Sequence, residues 1–253
     1  MRNACVPASH HFLERALALL YPPTCVLCGA PGEAGRDLCA GCHADLPFIG
    51  AHCARCAQPF PTPAAPTLAS ARRADPLCGR CQQAPPPFAR CTAAFRYEAP
   101  LSSLVVDIKF RAKLNLIRLL GALLADALSA ERARADWQAP AAIVPVPLHP
   151  RRLRTRGYNQ ALELARVVGR RLAIPVDHRC CRRTRATQAQ TELDERLRLT
   201  NIRDAFEVMG PVPRHLAILD DVVTTGATVS ELAWMLTQAG CERVDVWALA
   251  RTP

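Results

Sequence analysis

The run Leu216-Ala-Ile-Leu-Asp-Asp-Val-Val-Thr-Thr-Gly-Ala-Thr228 constrains this chain more than any other feature, because it joins a buried strand to paired carboxylates, a small-residue turn and a helix start. Leu216 to Leu219 are apolar without interruption, the pattern of a strand covered on both faces in a parallel sheet. Asp220 and Asp221 follow and alternate sides, as strand-end residues do. Thr224, Thr225, Gly226, Ala227 and Thr228 then form a turn rich in hydroxyls and unhindered N–H groups. Beyond it, Leu232, Met235, Leu236 and Ala239 recur at helical spacing, and Gly240 supplies the stop. Unpaired N–H groups and the positive end of the helix dipole converge at such a junction, so a phosphate is expected at residues 224–228. Carboxylates cannot hold a phosphate. Asp220 and Asp221 need the vicinal hydroxyls of a ribose, or a hard cation such as Mg2+, and a 5-phosphorylated ribose satisfies both halves of the motif.

A chain of 253 residues is long enough for a proper core in one domain or two, and the cysteines favour two. Eight of the thirteen lie in four C-x-x-C pairs between Cys25 and Cys81. Cys25, Cys28, Cys39 and Cys42 are followed by Cys53, Cys56, Cys78 and Cys81, and each group supplies the four thiolates of a closed tetrahedral zinc site. Two structural zinc ions are the natural reading; with no open coordination position they hold the fold and do no chemistry. Four redox dithiols in under sixty residues would be an unusual design. Spacing alone permits consecutive pairing or a cross-brace. Gly29, Gly41 and Gly79 lie beside the pairs, where a tight knuckle turns its N–H groups toward sulfur, while His43 and His52 are spare. Residues 59–76, rich in Pro and Ala, read as an insertion inside the second site.

No stretch approaches a membrane span, and neither a signal peptide nor an anchor is evident, so the expected location is cytoplasmic and reducing. The net charge of +10 invites a nucleic-acid partner, but the basic residues are almost all arginine, with lysine only at 109 and 113. Alanine is abundant too, the bias of a GC-rich genome, so the charge permits such a partner without arguing for it.

After Pro85-Pro-Pro87 the character changes to helices and buried strands, placing a boundary near residue 92 between a cysteine domain (1–92) and a second domain (93–253). Leu101–Phe110 and Leu114–Leu128 are predicted helices forming a hood, with leucines at 116, 119, 120, 123, 124 and 128. Lys109, one of two lysines in an arginine-rich chain, offers a compact charge suited to a diphosphate. Ile143–Pro147 is a short strand that opens onto a loop carrying four arginines in the six residues 151–156, an anion grip. A helix follows at Gly157-Tyr158-Asn159 with Leu164, Ala165, Val168 and Leu172 on its buried face. Ile174–Asp177 is predicted as a strand, Arg183–Gln190 as a polar loop, Asp194–Phe206 as a charged helix and Val244–Ala250 as the last strand.

Ile218–Thr228 resembles the phosphoribosyl-diphosphate signature of the type I phosphoribosyltransferases, and with the cysteine pairs and Arg156-Gly-Tyr-Asn-Gln160 the chain from about Cys25 onward is similar to the ComF/GntX, or competence protein F, family. The resemblance implies an α/β phosphoribosyltransferase fold, a parallel sheet flanked by helices, behind a double zinc ribbon with consecutive pairing. It implies 5-phosphoribosyl 1-diphosphate with Mg2+ as ligand. The 5-phosphate would sit on Thr224, Thr225, Gly226, Ala227 and Thr228, the ribose hydroxyls on Asp220 and Asp221, and the diphosphate at Arg152, Arg156, Gly157 and Asn159. Asp220, Asp221 and Arg156 would be catalytic. Arg183, Arg185, Thr187, Gln190, Arg198 and Asn201 match the family pattern around a lid that would exclude water from an oxocarbenium-like centre.

Three functions follow from these readings: a phosphoribosyl transferase, with nucleotide salvage as one setting; a non-catalytic regulatory binder of phosphoribosyl diphosphate; and a DNA-processing accessory factor, because the family name is tied to uptake of transforming DNA. The last implies single-stranded DNA or the uptake machinery as partner. Direct strand binding has little support, since aromatics are scarce and do not interleave with the arginines.

Overall fold

The computed structural model describes residues 22–61, 76–111, 113–185 and 204–253. The chain divides into two compact units, Met1–Leu46 and Pro47–Pro253. In the first, Cys25–Ala30 forms a knuckle and Cys39 caps a five-residue helix, α1 (Ala40–Ala44), by accepting from the amide of Cys42.

The second unit repeats this object and fuses it to a sheet. The knuckle at Cys53–Gln58 precedes α2 (Gly79–Gln83), for which Cys78 is the N-cap residue. Of the glycines expected in the knuckles, only Gly29 takes a left-handed φ, 76°; Gly41 and Gly79 lie in the short helices. In the second knuckle Ala57 adopts the left-handed turn instead, at φ 56°.

The core elements are β1 (Arg90–Arg96), α3 (Leu101–Phe110), α4 (Leu114–Glu131), β2 (Ala142–Pro145), α5 (Pro150–Arg156), α6 (Gln160–Leu172), β3 (Cys181–Arg183), β4 (Phe206–Val208), β5 (His215–Val223), α7 (Ala227–Gln238) and β6 (Arg243–Arg251). Four strands form a parallel sheet in the order β1-β6-β5-β2, and β3 pairs with β4 in a small antiparallel sheet. Parallel strands need helical crossovers, which is why this sheet is covered by α4, α6 and α7. Leu216, Ala217, Ile218 and Leu219 of β5 are almost wholly inaccessible, as their unbroken apolar run requires. This is the parallel α/β architecture that the strand and helix periodicities predict.

The second ribbon seals the free edge of β1. Pro47 O accepts from Arg96 N at 2.8 Å, Ala94 O accepts from Ile49 N at 3.1 Å, and Arg55 O accepts from Cys91 N at 2.8 Å. An open strand edge is a template for aggregation, and this chain covers it with its own backbone. The expected boundary near residue 92 falls inside β1.

Four local expectations differ from the structure. The arginine run 151–156 is a helix, α5, because Pro150 at its first turn fixes φ, the His149 side chain accepts from Arg151 N, and left-handed Gly157 closes it at φ 83°. Ile174–Asp177 makes only one bridge, Val176 to Ile143, since Pro175 has no N–H to extend a ladder. Phe206 opens β4 rather than ending a helix, and residues 194–203 of that expected helix lie outside the described residues. Met235 is half-buried and Ala239 exposed, so the buried face of α7 is Ala227, Val229, Leu232, Ala233 and Leu236.

Candidate functional site

The cysteines resolve into two tetrads, Cys25/Cys28/Cys39/Cys42 and Cys53/Cys56/Cys78/Cys81, each with all ligand sulfurs within 4.8 Å of one another. The pairing is therefore consecutive. Burial raises the Cys25 thiol, but the backbone amides of Cys39, Leu27 and Cys28 outweigh it and bring it down to about 6. In the second tetrad backbone amides likewise offset burial and bring Cys53 to about 7. Neighbouring sulfurs push Cys42 strongly upward, and burial followed by Cys56 does the same to Cys81. Four thiolates this close cannot coexist without a cation, and an all-sulfur tetrad suits Zn2+. These are two zinc-binding sites of a double zinc ribbon, whose metal would hold the fold without an open position.

A cavity of about 810 Å³ lies at the carboxyl ends of the strands, where open α/β sheets take their ligands. Asp220, Asp221, Val222, Thr224 and Thr228 line it from β5 and the turn, Lys109 and Phe110 from α3, Arg151, Arg152, Thr155 and Arg156 from α5, and Arg183 from β3. Burial, then the adjacent Asp221 carboxylate, push Asp220 up to about 8. Asp221 is buried and paired with Lys109 Nζ at 2.9 Å. That pair raises the Lys109 ammonium against the lowering effect of its own burial.

Opposite the carboxylates the guanidinium groups crowd one another. Burial pulls Arg183 down to about 10 and Arg152 adds to it, while Arg152 is itself lowered by burial and by Arg156. Arg156 is held by Gln160 Oε1, which accepts from its Nη1 at 2.7 Å, and lies 5.5 Å from the Phe110 ring centroid. Converging cations in a partly dry cleft make a site for a polyanion. At the other end of the cavity, Gly226 (φ 81°) starts α7, and the N–H groups of Thr225 and Gly226 have no partner among the described residues.

The cavity thus gathers Lys109, Arg152, Arg156, Arg183, Asp220, Asp221, Thr224 and Thr228. Thr225, Gly226 and Ala227 complete the turn without lining the cavity. Gly157 and Asn159 serve local structure: Gly157 ends α5, and Asn159 caps α6 through its Oδ1 while donating to Val146 O at 3.0 Å. Arg185 is exposed and off the cavity wall; Thr187, Gln190, Arg198 and Asn201 lie outside the described residues. Sequence reasoning passed over Tyr97, Phe110, Tyr158 and Gln160 as cavity residues. Tyr158 is the most telling: its buried hydroxyl has no hydrogen-bond partner among the described residues, a polar group that needs one. It stands inside the quoted Arg156–Gln160 motif, where a signal was present.

The double zinc ribbon domain family matches residues 16–82. A relative from Escherichia coli (strain K12), the DNA utilization protein YhgH, is 37% identical over 236 residues, covering 92% of this chain and 99% of its own. Competence protein F of Haemophilus influenzae is 32% identical over 235 residues, covering 90% and 96%. Among solved structures, a purine phosphoribosyltransferase from Pyrococcus horikoshii aligns with a TM-score of 0.32 and 17% identity over 54% of this chain and 74% of its own. TT1426 from Thermus thermophilus aligns at 0.31 and 20% over 54% and 83%. With near end-to-end similarity to such relatives, tetracysteine ribbons and a parallel α/β sheet carrying the Asp-Asp turn, the chain belongs to the competence protein F family.

Proposed function

We propose that the cavity binds 5-phosphoribosyl 1-diphosphate with Mg2+ and that the protein is a phosphoribosyltransferase. The observation that supports this reading is the grouping of three kinds of surface around one cleft: the turn, through Thr224 and Thr228, the carboxylate pair, and the crowded arginines. The 5-phosphate goes to Thr224–Thr228, the ribose hydroxyls to Asp220 and Asp221, and the diphosphate to Arg152, Arg156 and Arg183. The oxygens of Asp220 fit a hard cation, but Lys109 already neutralises Asp221, so Mg2+ belongs with the incoming diphosphate rather than resident in the chain.

In the reaction, the bond from ribose C1 to the diphosphate oxygen breaks as an acceptor nucleophile bonds to C1. The diphosphate leaves with that electron pair, and the acceptor gives up its proton. The arginines stabilise charge on the departing group, the electrostatic part of catalysis. Tyr97, Val106 and Phe110 make the flank open to an acceptor partly apolar, which suits a planar base. The reading includes a reducing, cytoplasmic setting, supported by cysteines that are free thiols in metal-binding geometry. No helix among the described residues is long and apolar enough to cross a membrane. The names of the relatives add a role in competence or DNA utilization. Calorimetry with phosphoribosyl diphosphate and Mg2+, followed by a screen of base acceptors for diphosphate release, tests both halves. Binding without release from any acceptor leaves a regulatory binder, and no binding ends the proposal.

A further inference from the structure

Arg251, the last residue of β6, is 5% exposed and stands between the second tetracysteine site and the phosphate turn. Its strand lies between β1 and β5, so the side chain leaves the carboxyl end of the sheet with the ribbon on one flank and the turn on the other. Toward the ribbon, Nε donates to Cys56 O at 3.2 Å and Nη2 to Gln58 Oε1 at 2.6 Å. Toward the turn, Nη1 reaches Val223 O at 3.2 Å and also the carbonyl of Thr224. Its partners are all carbonyl, amide or hydroxyl oxygens, including Thr252 O at 2.9 Å. The guanidinium is planar and rigid, so it transmits position between what it grips on its two edges.

The two ends matter chemically. Cys56 is a ligand of the second tetrad, and Gln58 O accepts from Cys53 N at 2.9 Å in the same knuckle. A zinc ion with four thiolates is a net dianion, a natural neighbour for a buried guanidinium. At the far end, the carbonyl of Thr224 and the N–H of Thr225 belong to one trans peptide, so holding the carbonyl aims the N–H the opposite way. That N–H is one of the unclaimed donors of the turn.

We propose that Arg251 is a positioning residue that couples the second zinc site to the phosphate turn. Zinc at Cys53, Cys56, Cys78 and Cys81 fixes the knuckle carbonyl and amide that hold Arg251, and Arg251 sets the peptide plane that receives phosphate. Coupling is reciprocal, so phosphate at the turn protects that zinc site. The proposal rests on the assignment of phosphate to residues 224–228.

The test uses full-length zinc-loaded protein exposed to a chelator and a thiol-alkylating reagent, with and without saturating ribose 5-phosphate. Peptide mass spectrometry reads each cysteine separately. Ligand should slow alkylation at Cys53, Cys56, Cys78 and Cys81 by on the order of fivefold or more, and leave Cys25, Cys28, Cys39 and Cys42 unchanged. Arg251→Lys keeps the charge but cannot span both flanks; it should lose the protection and bind ribose 5-phosphate roughly tenfold more weakly. Gln58→Ala removes one ribbon-side partner and should reduce the protection with the sheet intact. A purely structural Arg251 gives no ligand-dependent protection in the unmodified protein, so that measurement decides even if a variant misfolds. Saturable ribose 5-phosphate binding with unchanged alkylation of the second tetrad overturns the coupling and leaves the site standing. No ribose 5-phosphate binding removes the phosphate assignment and the coupling together.

Discussion

In the first tetrad the amide of Gly29 donates to Cys25 O at 2.9 Å and that of Cys25 to Ala30 O at 2.7 Å; in the second, Ala57 donates to Cys53 O at 2.8 Å and Cys53 to Gln58 O at 2.9 Å. Cys28 and Cys39 sulfurs lie 3.7 Å apart, as do those of Cys56 and Cys78. Each third cysteine occupies the N-cap position of a five-residue helix. The local objects are nearly the same, yet their surroundings differ. The first belongs to Met1–Leu46, whereas the second lies in the unit that holds the sheet and is gripped by Arg251 and β1. Gly29 takes its left-handed turn freely, while Ala57 holds one that its Cβ disfavours and is wholly buried. The first unit carries a left-handed alanine too, Ala34 at φ 52°, but that one is exposed, so what sets Ala57 apart is its burial within the sheet-bearing unit.

Breaking one tetrad at a time gives the largest expected effect. Closing a structural zinc site is worth about 10–16 kcal/mol in zinc-finger peptides, so either Cys39→Ser or Cys81→Ser should lower bound zinc from two ions per chain to one by elemental analysis. Their ligand phenotypes should part. Cys81→Ser should weaken ribose 5-phosphate by about tenfold or more through Arg251, whereas Cys39→Ser should leave it within about twofold. The same logic applies to truncation: loss of residues 1–46 spares ligand binding, and loss of 1–92 impairs it by cutting β1 and freeing Arg251. Equal phenotypes for the two tetrads would erase the contrast.

Damage on the ligand side that bypasses Arg251 should leave both zinc sites alone. Lys109→Met strands the buried Asp221 carboxylate without its ammonium, and a broken buried pair costs about 3–5 kcal/mol, taken at the lower end because Lys109 is partly open to water. Denaturant unfolding checks the loss, and zinc content should stay at two. The smallest effect belongs to Gly29→Ala. Nothing lies within 4 Å of the added methyl, so the cost is the left-handed backbone alone, about 1–2 kcal/mol, read as faster zinc loss from the first tetrad with ligand affinity unchanged.

Most of what is local was legible before the structure. Leu216 to Thr228 announces strand, turn and helix because each step has its own short-range signal, and the eight ribbon cysteines declare their chemistry by spacing. Spacing alone left their pairing open, since both arrangements satisfy it; the family resemblance implied the consecutive one, and the three-dimensional path selects it. The helix α5 was hidden by its arginines, although Pro150 and Gly157 stood at its ends as start and stop signals. Lys109 was singled out for a diphosphate, while the geometry puts it on Asp221. Arg251 could not be found at all: 195 residues separate it from Cys56, and nothing in its own neighbourhood hints at either partner.

The central claim is that one cleft holds the two ends of a phosphoribosyl diphosphate on different residues, and calorimetric titration of ribose 5-phosphate and phosphoribosyl diphosphate in Mg2+ tests it on the unmodified chain, Thr225→Val and Arg156→Ala. Thr225→Val removes a turn hydroxyl and crowds the turn, and should weaken both ligands alike. Arg156→Ala should leave ribose 5-phosphate nearly unchanged and cost about 1.5–3 kcal/mol toward phosphoribosyl diphosphate, the worth of hydrogen bonds to a charged group. If Arg156→Ala weakens both ligands equally, or the unmodified chain binds neither, the account is contradicted.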